Sequence, residues 1–327
     1  MSFKKKIENM ILSRSKSYKF YKDQYEKYIK DNEKSIPQIE KEFDQFKKEF
    51  KDFKNRTDNH MDSTTYLLKN VYVDHEISQP RNALKFIQEL TYELLKFTSK
   101  ICEKHNIEFW LDYGSLLGAV RHQNFVPWDD DIDISMVRTN YMKFNEVIES
   151  EIKDNALDDI LKVEKNPKGF TQILAKQEDN TLANLNIYAY DYLTKYNKKA
   201  FPKAYNEYKE VFKQDNDLEK YYKEMNLSLD EADYIMPGMD GVSGENEYYK
   251  TYVFKTIDVF PLKNVTFGEH TFKAPINIPW YLKRLYGDYL SLPRIIPRHD
   301  TVDKYRYNGN NEEIFGYCIN KLRNLNE

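Results

Sequence analysis

Residues Asp129 to Asp133 read Asp-Asp-Asp-Ile-Asp, four carboxylates within five positions. Like charges this close repel, and at least one carboxyl should hold its proton more tightly unless a cation sits among them. A divalent metal is the usual cation. If Asp131-Ile132-Asp133 is extended, side chains two apart share a face. Asp131 and Asp133 then point one way and Asp129 can join them, while Ile132 and Ile134 point into a core. Oxygen-only ligands at this density suit Mg²⁺ or Mn²⁺ rather than zinc. The bland alternative is a calcium-stabilised loop or a solvated acidic turn. Pro127-Trp128 and the alternating isoleucines argue against a free loop. One of Asp129 and Asp130 could instead cap a turn or bind Arg121.

The elements that position this run begin just upstream. Ile107-Glu108-Phe109-Trp110-Leu111 has the apolar, aromatic character of a strand, and Asp112-Tyr113-Gly114-Ser115 follows it. Leu116, Leu117, Ala119 and Val120 then suit a short helix. Gly114 permits a tight strand-to-helix turn, and Ser115 is a good N-cap. A helix N-terminus entered through Gly-Ser is a ready phosphate site. Arg121 and His122 lie near the helix's other end. Arg121 could clamp a diphosphate through two parallel bonds, or merely neutralise the acidic run. A phosphate cradle followed by a metal-binding strand is the minimal apparatus for phosphoryl or nucleotidyl transfer.

The stretch GSLLGAVRHQNFVPWDDDIDI resembles the signature of the LicD family, within the wider nucleotidyltransferase fold. Thr256-Ile257-Asp258-Val259-Phe260-Pro261-Leu262 resembles the family's second motif. Tyr281-Leu282, Leu285-Tyr286-Gly287-Asp288, Pro293 and His299 resemble its C-terminal motif. The resemblance covers roughly residues 80 to 300, with an interruption. It implies an α/β (α+β) fold, a nucleotidyltransferase-like mixed sheet flanked by helices. It also implies a phosphotransferase that moves phosphocholine or a similar phospho-alcohol from a CDP-linked donor to a hydroxyl of a glycan or lipid-linked polymer at the cell surface, such as teichoic acid. The expected cofactor is Mg²⁺ or Mn²⁺, and no nucleic acid is expected as partner. An enzyme releasing pyrophosphate, or a non-catalytic adaptor, are the other readings.

The two-metal fold needs a third carboxylate on a neighbouring strand. Asp258 is a lone acid in the apolar stretch Tyr252 to Phe260, which reads as a core strand. A buried, unpartnered carboxylate is expensive, so it should have a ligand. Asp191, in Tyr190-Asp191-Tyr192, is its rival. The expected catalytic set is Asp131, Asp133 and Asp258, with Asp129, Asp131, Asp133 and Asp258 on the metal. Gly114, Ser115, Arg121, His122, Lys176 and His299 are expected to contact substrate.

The 327 residues suffice for one large domain with extensions, or for two domains. Hydrophobic residues make up 40% and charged residues 31%, a well-charged composition. The aromatic core material is ample, with Tyr 27 and Phe 19. The two cysteines, Cys102 and Cys318, do not make a disulfide framework or a zinc site. No apolar run approaches a membrane span, and Ile7 to Leu12 is too short for a signal-peptide core. A cytoplasmic location, peripheral at the inner face of the membrane, is the expectation. Residues 1–30 carry nine basic and three acidic side chains, +6, so the remainder of a chain of net charge −3 carries −9. Such a basic arm could touch anionic lipid.

Residues 1–79 read as a helical extension and connector. Within 1–56, two amphipathic helices joined near Pro37 form a hairpin that packs on the body or on a second copy. Residues 80–310 read as the catalytic domain, with an insertion around 195–247, and 311–327 as a short tail. Inside the domain, helices are expected from Pro80 to about His105, Tyr141 to Ser150 and Trp280 to Leu290. A hairpin turns at Glu178-Asp179-Asn180, between strands Gly169–Ala175 and Ile187–Leu193, and another spans residues 264 to 274.

Overall fold

The structure, a computed structural model, describes residues 19, 20, 23, 41, 44–52, 71–73, 78–80, 82–166, 169–193, 232–238, 252–291 and 310–326. The chain divides into two compact units, Met1–Asp62 and Ser63–Glu327. In the first, residues 44–52 are helical, and Phe46 and Phe50, one turn apart, stack with centroids 6.3 Å apart. Residues 19, 20, 23 and 41 are helical as well, and the rest of the expected hairpin lies outside the described residues.

The second unit opens with a short ribbon of β1 (Val71–Val73) and β2 (Ser78–Pro80), then α1 (Asn82–Lys104). Leu84, Ile87, Leu90, Leu94, Phe97 and Ile101 recur at helical spacing in α1 and are all buried. Then come β3 (Trp110–Leu111), α2 (Tyr113–His122), β4 (Ile132–Val137), α3 (Arg138–Asp154), β5 (Leu161–Lys165), β6 (Thr171–Gln177) and β7 (Asn180–Leu193). β8 (Tyr234–Pro237), β9 (Phe254–Lys255), α4 (Thr256–Val259), β10 (Lys263–Phe267), β11 (His270–Ala274), α5 (Ile278–Tyr286) and α6 (Asn311–Asn326) complete the unit.

Seven strands form one mixed sheet in the order β3-β4-β7-β6-β5, with β8 on the far half of β7 and β9 on β8. The β4–β7 pair is parallel, and every other pair in this sheet is antiparallel. The expected α/β architecture, a mixed sheet flanked by helices, is therefore present. The 14-residue β7 is its spine, flanked by β4 on one edge and by β6 then β8 on the other. Ile132, Ile134 and Met136 are fully buried, as the alternation in β4 requires.

Three expectations need correction. The stretch Tyr252 to Phe260 is not a core strand: only Phe254–Lys255 pair, and Thr256–Val259 turn into α4, leaving Ile257 75% exposed. An apolar run of this length cannot by itself tell strand from helix. The stretch 311–327 is not a tail. Phe315, Cys318, Ile319 and Leu322 of α6 are buried in the main core, and Phe86 of α1 stacks on Phe315 at 6.0 Å. Burying each large side chain contributes about 1.5–3 kcal/mol. The insertion expected around 195–247 is not separate from the domain's sheet either, because its Tyr234–Pro237 pairs with β7 as β8. Apart from residues 232–238, the insertion lies outside the described residues.

Candidate active site

α2 begins two residues before Ser115, because Asp112 is its N-cap. The Asp112 carboxylate accepts from the Tyr113 backbone N–H at 2.8 Å. Tyr113, rather than Gly114, takes the left-handed turn, with φ 41°. An aromatic residue held there is strained, and such strain gathers at functional sites. The edge-on contact of Tyr113 with Tyr188, centroids 5.1 Å apart, helps to hold it. Gly114 serves close approach. A Cβ at Gly114 would collide with Asp129 Oδ2, so the missing side chain lets that carboxylate lie at the start of the helix.

Asp112 is completely buried yet ringed by donors. Ser135 Oγ at 2.7 Å, Tyr190 OH at 2.8 Å and Tyr281 OH at 2.9 Å all donate to its carboxylate. Burial raises its pKa, and these bonds pull it back. Burial and the Asp112 charge push both tyrosine hydroxyls well up, which keeps them protonated donors. One acid thereby ties together β3, α2, β4, β7 and α5.

The acidic run is anchored through its backbone. Gln88 of α1 donates to Asp129 O at 2.7 Å. Asp133 N donates to Ser115 Oγ at 2.8 Å, and Asp133 O accepts from Asp112 N at 3.0 Å. Ser115 therefore braces the acidic strand instead of capping the helix, and it is buried. Asp131 directly precedes β4, and Asp133 lies within it. Asn186 of β7 sits opposite Asp133 and donates its amide to both, at 3.0 Å to Asp131 Oδ2 and 3.0 Å to Asp133 Oδ1.

Asp129, Asp131 and Asp133 line a cleft of about 360 Å³. Its lining also includes Tyr113, Gly114, Arg121, Trp128, Tyr286, Asp288, Tyr289 and Ser291. Carboxylate oxygens of Asp129, Asp130 and Asp131 come within 4.8 Å of one another. This hard, oxygen-only set fits Mg²⁺ or Mn²⁺.

Other expected residues fall differently. The Arg121 guanidinium donates to the carbonyls of Tyr289 at 3.0 Å and Ser291 at 3.3 Å, and packs 5.7 Å from the Trp128 ring. It thus fastens the segment after α5 across the cleft. His122 accepts from Arg121 Nε at 3.0 Å, and burial beside that cation lowers its pKa to about 4. It is neutral near pH 7. Lys176 lies four residues beyond Gln172 on β6, about 13 Å at strand rise. It is not among the cleft-lining residues. Asp258 accepts from Asn277 Nδ2 at 2.8 Å, outside the cleft lining. Asp191 is chelated by Arg138, Nε to Oδ1 at 2.7 Å and Nη2 to Oδ2 at 2.9 Å. His299 lies outside the described residues.

Sequence reasoning passed over Asp112, Asn186 and Tyr289, and it placed Tyr286 and Asp288 in the C-terminal motif without giving them a part in the site. Asp112 had a legible signal, a capping acid at a strand-to-helix junction. Asn186 had a weaker one, an amide inside the apolar run Leu185 to Tyr190.

Residues 106–225 match the family model described as the LicD/FKTN/FKRP nucleotidyltransferase domain. A segment of 60 residues is 42% identical to the lipopolysaccharide cholinephosphotransferase LicD of Haemophilus influenzae, covering 18% of this chain and 23% of that protein. A 44-residue segment is 39% identical to the human ribitol 5-phosphate transferase FKRP, covering 14% of this chain and 9% of that protein. An uncharacterised protein of Rickettsia typhi is 42% identical over 57 residues, 17% of this chain and 18% of the relative. The matched segments thus span less than a quarter of each of these relatives. The motif blocks, the mixed sheet and the family model agree, and residues 106–225, just over a third of the chain, are similar to the LicD family's nucleotidyltransferase domain.

Proposed function

We propose that the protein is a metal-dependent phosphotransferase. It moves a phospho-alcohol group, phosphocholine or a relative of it, from a CDP-linked donor to a hydroxyl of a cell-surface glycan or polymer. The observation that carries this reading is one cleft that gathers Asp129, Asp131 and Asp133 with Gly114 at the start of α2 and Arg121 in its last turn. The names of the similar proteins, a cholinephosphotransferase and a ribitol 5-phosphate transferase, point to the same class of transfer.

Asp129, Asp131 and Asp133, with Asp130 beside them, would hold Mg²⁺ or Mn²⁺. When bound, the cation supplies Lewis-acid neutralisation of the charge that develops on a departing phosphate. The remaining work belongs to the chain. The α2 N-terminus offers backbone N–H groups and a positive dipole end to the donor diphosphate. Arg121 adds a positive charge to the same cleft, preset by its bonds to the Tyr289 and Ser291 carbonyls. The aromatic walls, Tyr113, Trp128, Tyr286 and Tyr289, shield the reacting groups from water. The acceptor hydroxyl attacks the distal phosphorus in line and gives its proton to a cleft carboxylate, and CMP leaves. Asp258, expected to complete the metal site or to take that proton, is here assigned a supporting part through Asn277 and α5.

The test is product analysis. Purified protein with Mg²⁺ and CDP-choline, CDP-ribitol or CDP-glycerol should release CMP. Release of pyrophosphate from a nucleoside triphosphate, without CMP from any CDP-alcohol, would overturn the reading. Among the described residues no helix is long and apolar enough to cross a membrane. The +6 arm of residues 1–30 would bring the enzyme to anionic lipid, each basic group contributing roughly 1 kcal/mol. Full-length protein should co-sediment with phosphatidylserine vesicles at low salt, and a form lacking residues 1–56 should not; equal sedimentation would remove that role.

A further inference from the structure

We infer that Asn186 is the positioning residue of the acidic pair, and that a relay of amides behind it dictates which way its side chain faces. The inference rests on the metal-site reading above and extends it to a residue outside the acidic motif. Asp133, Asn186 and Gln172 lie side by side on β4, β7 and β6, as the registers Asp133↔Asn186 and Gln172↔Asn186 require. In adjacent strands such partners share a face.

A carboxamide has two unlike ends, one that only donates and one that only accepts. The accepting end of Asn186 is taken. Its Oδ1 receives Gln172 Nε2 at 2.7 Å and Asn184 Nδ2 at 3.1 Å. Gln172 is itself oriented, since its Oε1 accepts from Asn166 Nδ2 at 2.7 Å. The donating end of Asn186 must then face the acidic pair, where its two N–H groups reach Asp131 Oδ2 and Asp133 Oδ1. Every hydrogen-bonding position of this buried amide is used, so turning it over would set oxygen against oxygen.

Asn186 lies on the strand beside the acidic pair, while the acids expected to complete the site, Asp258 and its rival Asp191, bond to Asn277 and Arg138. An amide there does what a carboxylate could not do without a cation. It bridges the two acids and presets their spacing while adding no negative charge. Asn186 thus favours an acidic pair that is in place before a cation arrives, and it limits the negative charge the site offers that cation.

Three measurements test this. The first is Mn²⁺ binding by calorimetry and by thermal shift. Asn186→Ala should weaken Mn²⁺ binding about tenfold, the lower range for lost supporting contacts at metal sites, and lower kcat more than it changes KM. The second is Asn186→Asp, which should lower the unfolding temperature without metal and enlarge the Mn²⁺-induced rise beyond wild type. Unaltered Mn²⁺ affinity in Asn186→Ala, with an unaltered Mn²⁺ shift in Asn186→Asp, would overturn the inference and leave Asn186 a packing residue. The third does not depend on metal. With ¹⁵N-asparagine labelling, the Asn186 side-chain NH₂ pair, identified by its loss in Asn186→Asp, should move in Asp131→Asn, in Asp133→Asn and in Gln172→Leu. A pair that ignores all three substitutions refutes the positioning role. If wild type takes up no Mn²⁺ while that pair responds, the metal reading fails and the positioning role survives.

Discussion

Asn186 and Asp191 lie five residues apart on β7, so they face opposite sides of the sheet. On one side, Asn186, Tyr188 and Tyr190 follow one another and reach the acidic pair, the Tyr113 ring and Asp112. On the other, Asp191 is buried against Arg138 in a two-pronged ion pair. The first face holds its carboxylates with neutral donors, namely amides, hydroxyls and backbone N–H groups. The second holds its carboxylate with a full opposite charge. A chelated acid has its charge cancelled and its lone pairs engaged, and suits architecture. The strand is the same on both faces, and the partner decides the role.

Removing charge from the first face should have the largest effect. Asp131→Ala or Asp133→Ala should abolish turnover, while apo-protein thermal stability holds or rises because repulsion is relieved. Mg²⁺-dependent stabilisation should disappear. Near-wild-type kcat in either variant would break the comparison.

The second face should respond in stability and not in chemistry. Arg138→Met strands a buried carboxylate, and losing one partner of such a pair typically costs about 3–5 kcal/mol. Urea unfolding measures this, and activity per folded molecule should persist. Adding Asp191→Leu should recover much of the loss. A double variant that folds well but is inactive would show that this face also serves the reaction.

Asp258→Asn sharpens the boundary of the site. The side chain trades one polar contact with Asn277, worth about 1 kcal/mol net. Its kcat should stay near wild type, and a loss of orders of magnitude would return Asp258 to the catalytic set.

The last test concerns pH. The His122 pKa, held near 4 by burial and Arg121, lies below its ordinary value of about 6.5. The unfolded chain therefore binds the extra proton more readily. His122 contributes stability that is fully present above about pH 6.5 and lost as pH falls towards about 4. The stability difference between wild type and His122→Gln should shrink across that window. A difference that grows on acidification would refute the assignment.

The local features were legible in the residues. Alternation of Ile132, Ile134 and Met136 with Asp131, Asp133 and Ser135 marks a strand with an acidic start. The helical spacing in α1 and the turn at residues 178–179 are written in short windows, as is the strand-turn-helix that precedes the acidic run. The Asp112 cap was written there too, and was overlooked in favour of Ser115.

What only the tertiary structure decided is which distant residues meet. Asn186 reaches Asp133 across 53 positions because β4 and β7 pair in parallel in one register, and a slip of one residue would turn Asn186 to the other face. Tyr281 finds Asp112 over 169 positions, and Arg121 finds the Tyr289 carbonyl over 168. Asp258 left the expected strand because the chain pairs for only two residues before bending into α4. The residues by themselves determined where the negative charge would gather. Strand register and packing determined which groups hold it, because periodicity records only a residue's own surroundings along the chain, while a hydrogen bond between strands depends on how the whole sheet is assembled.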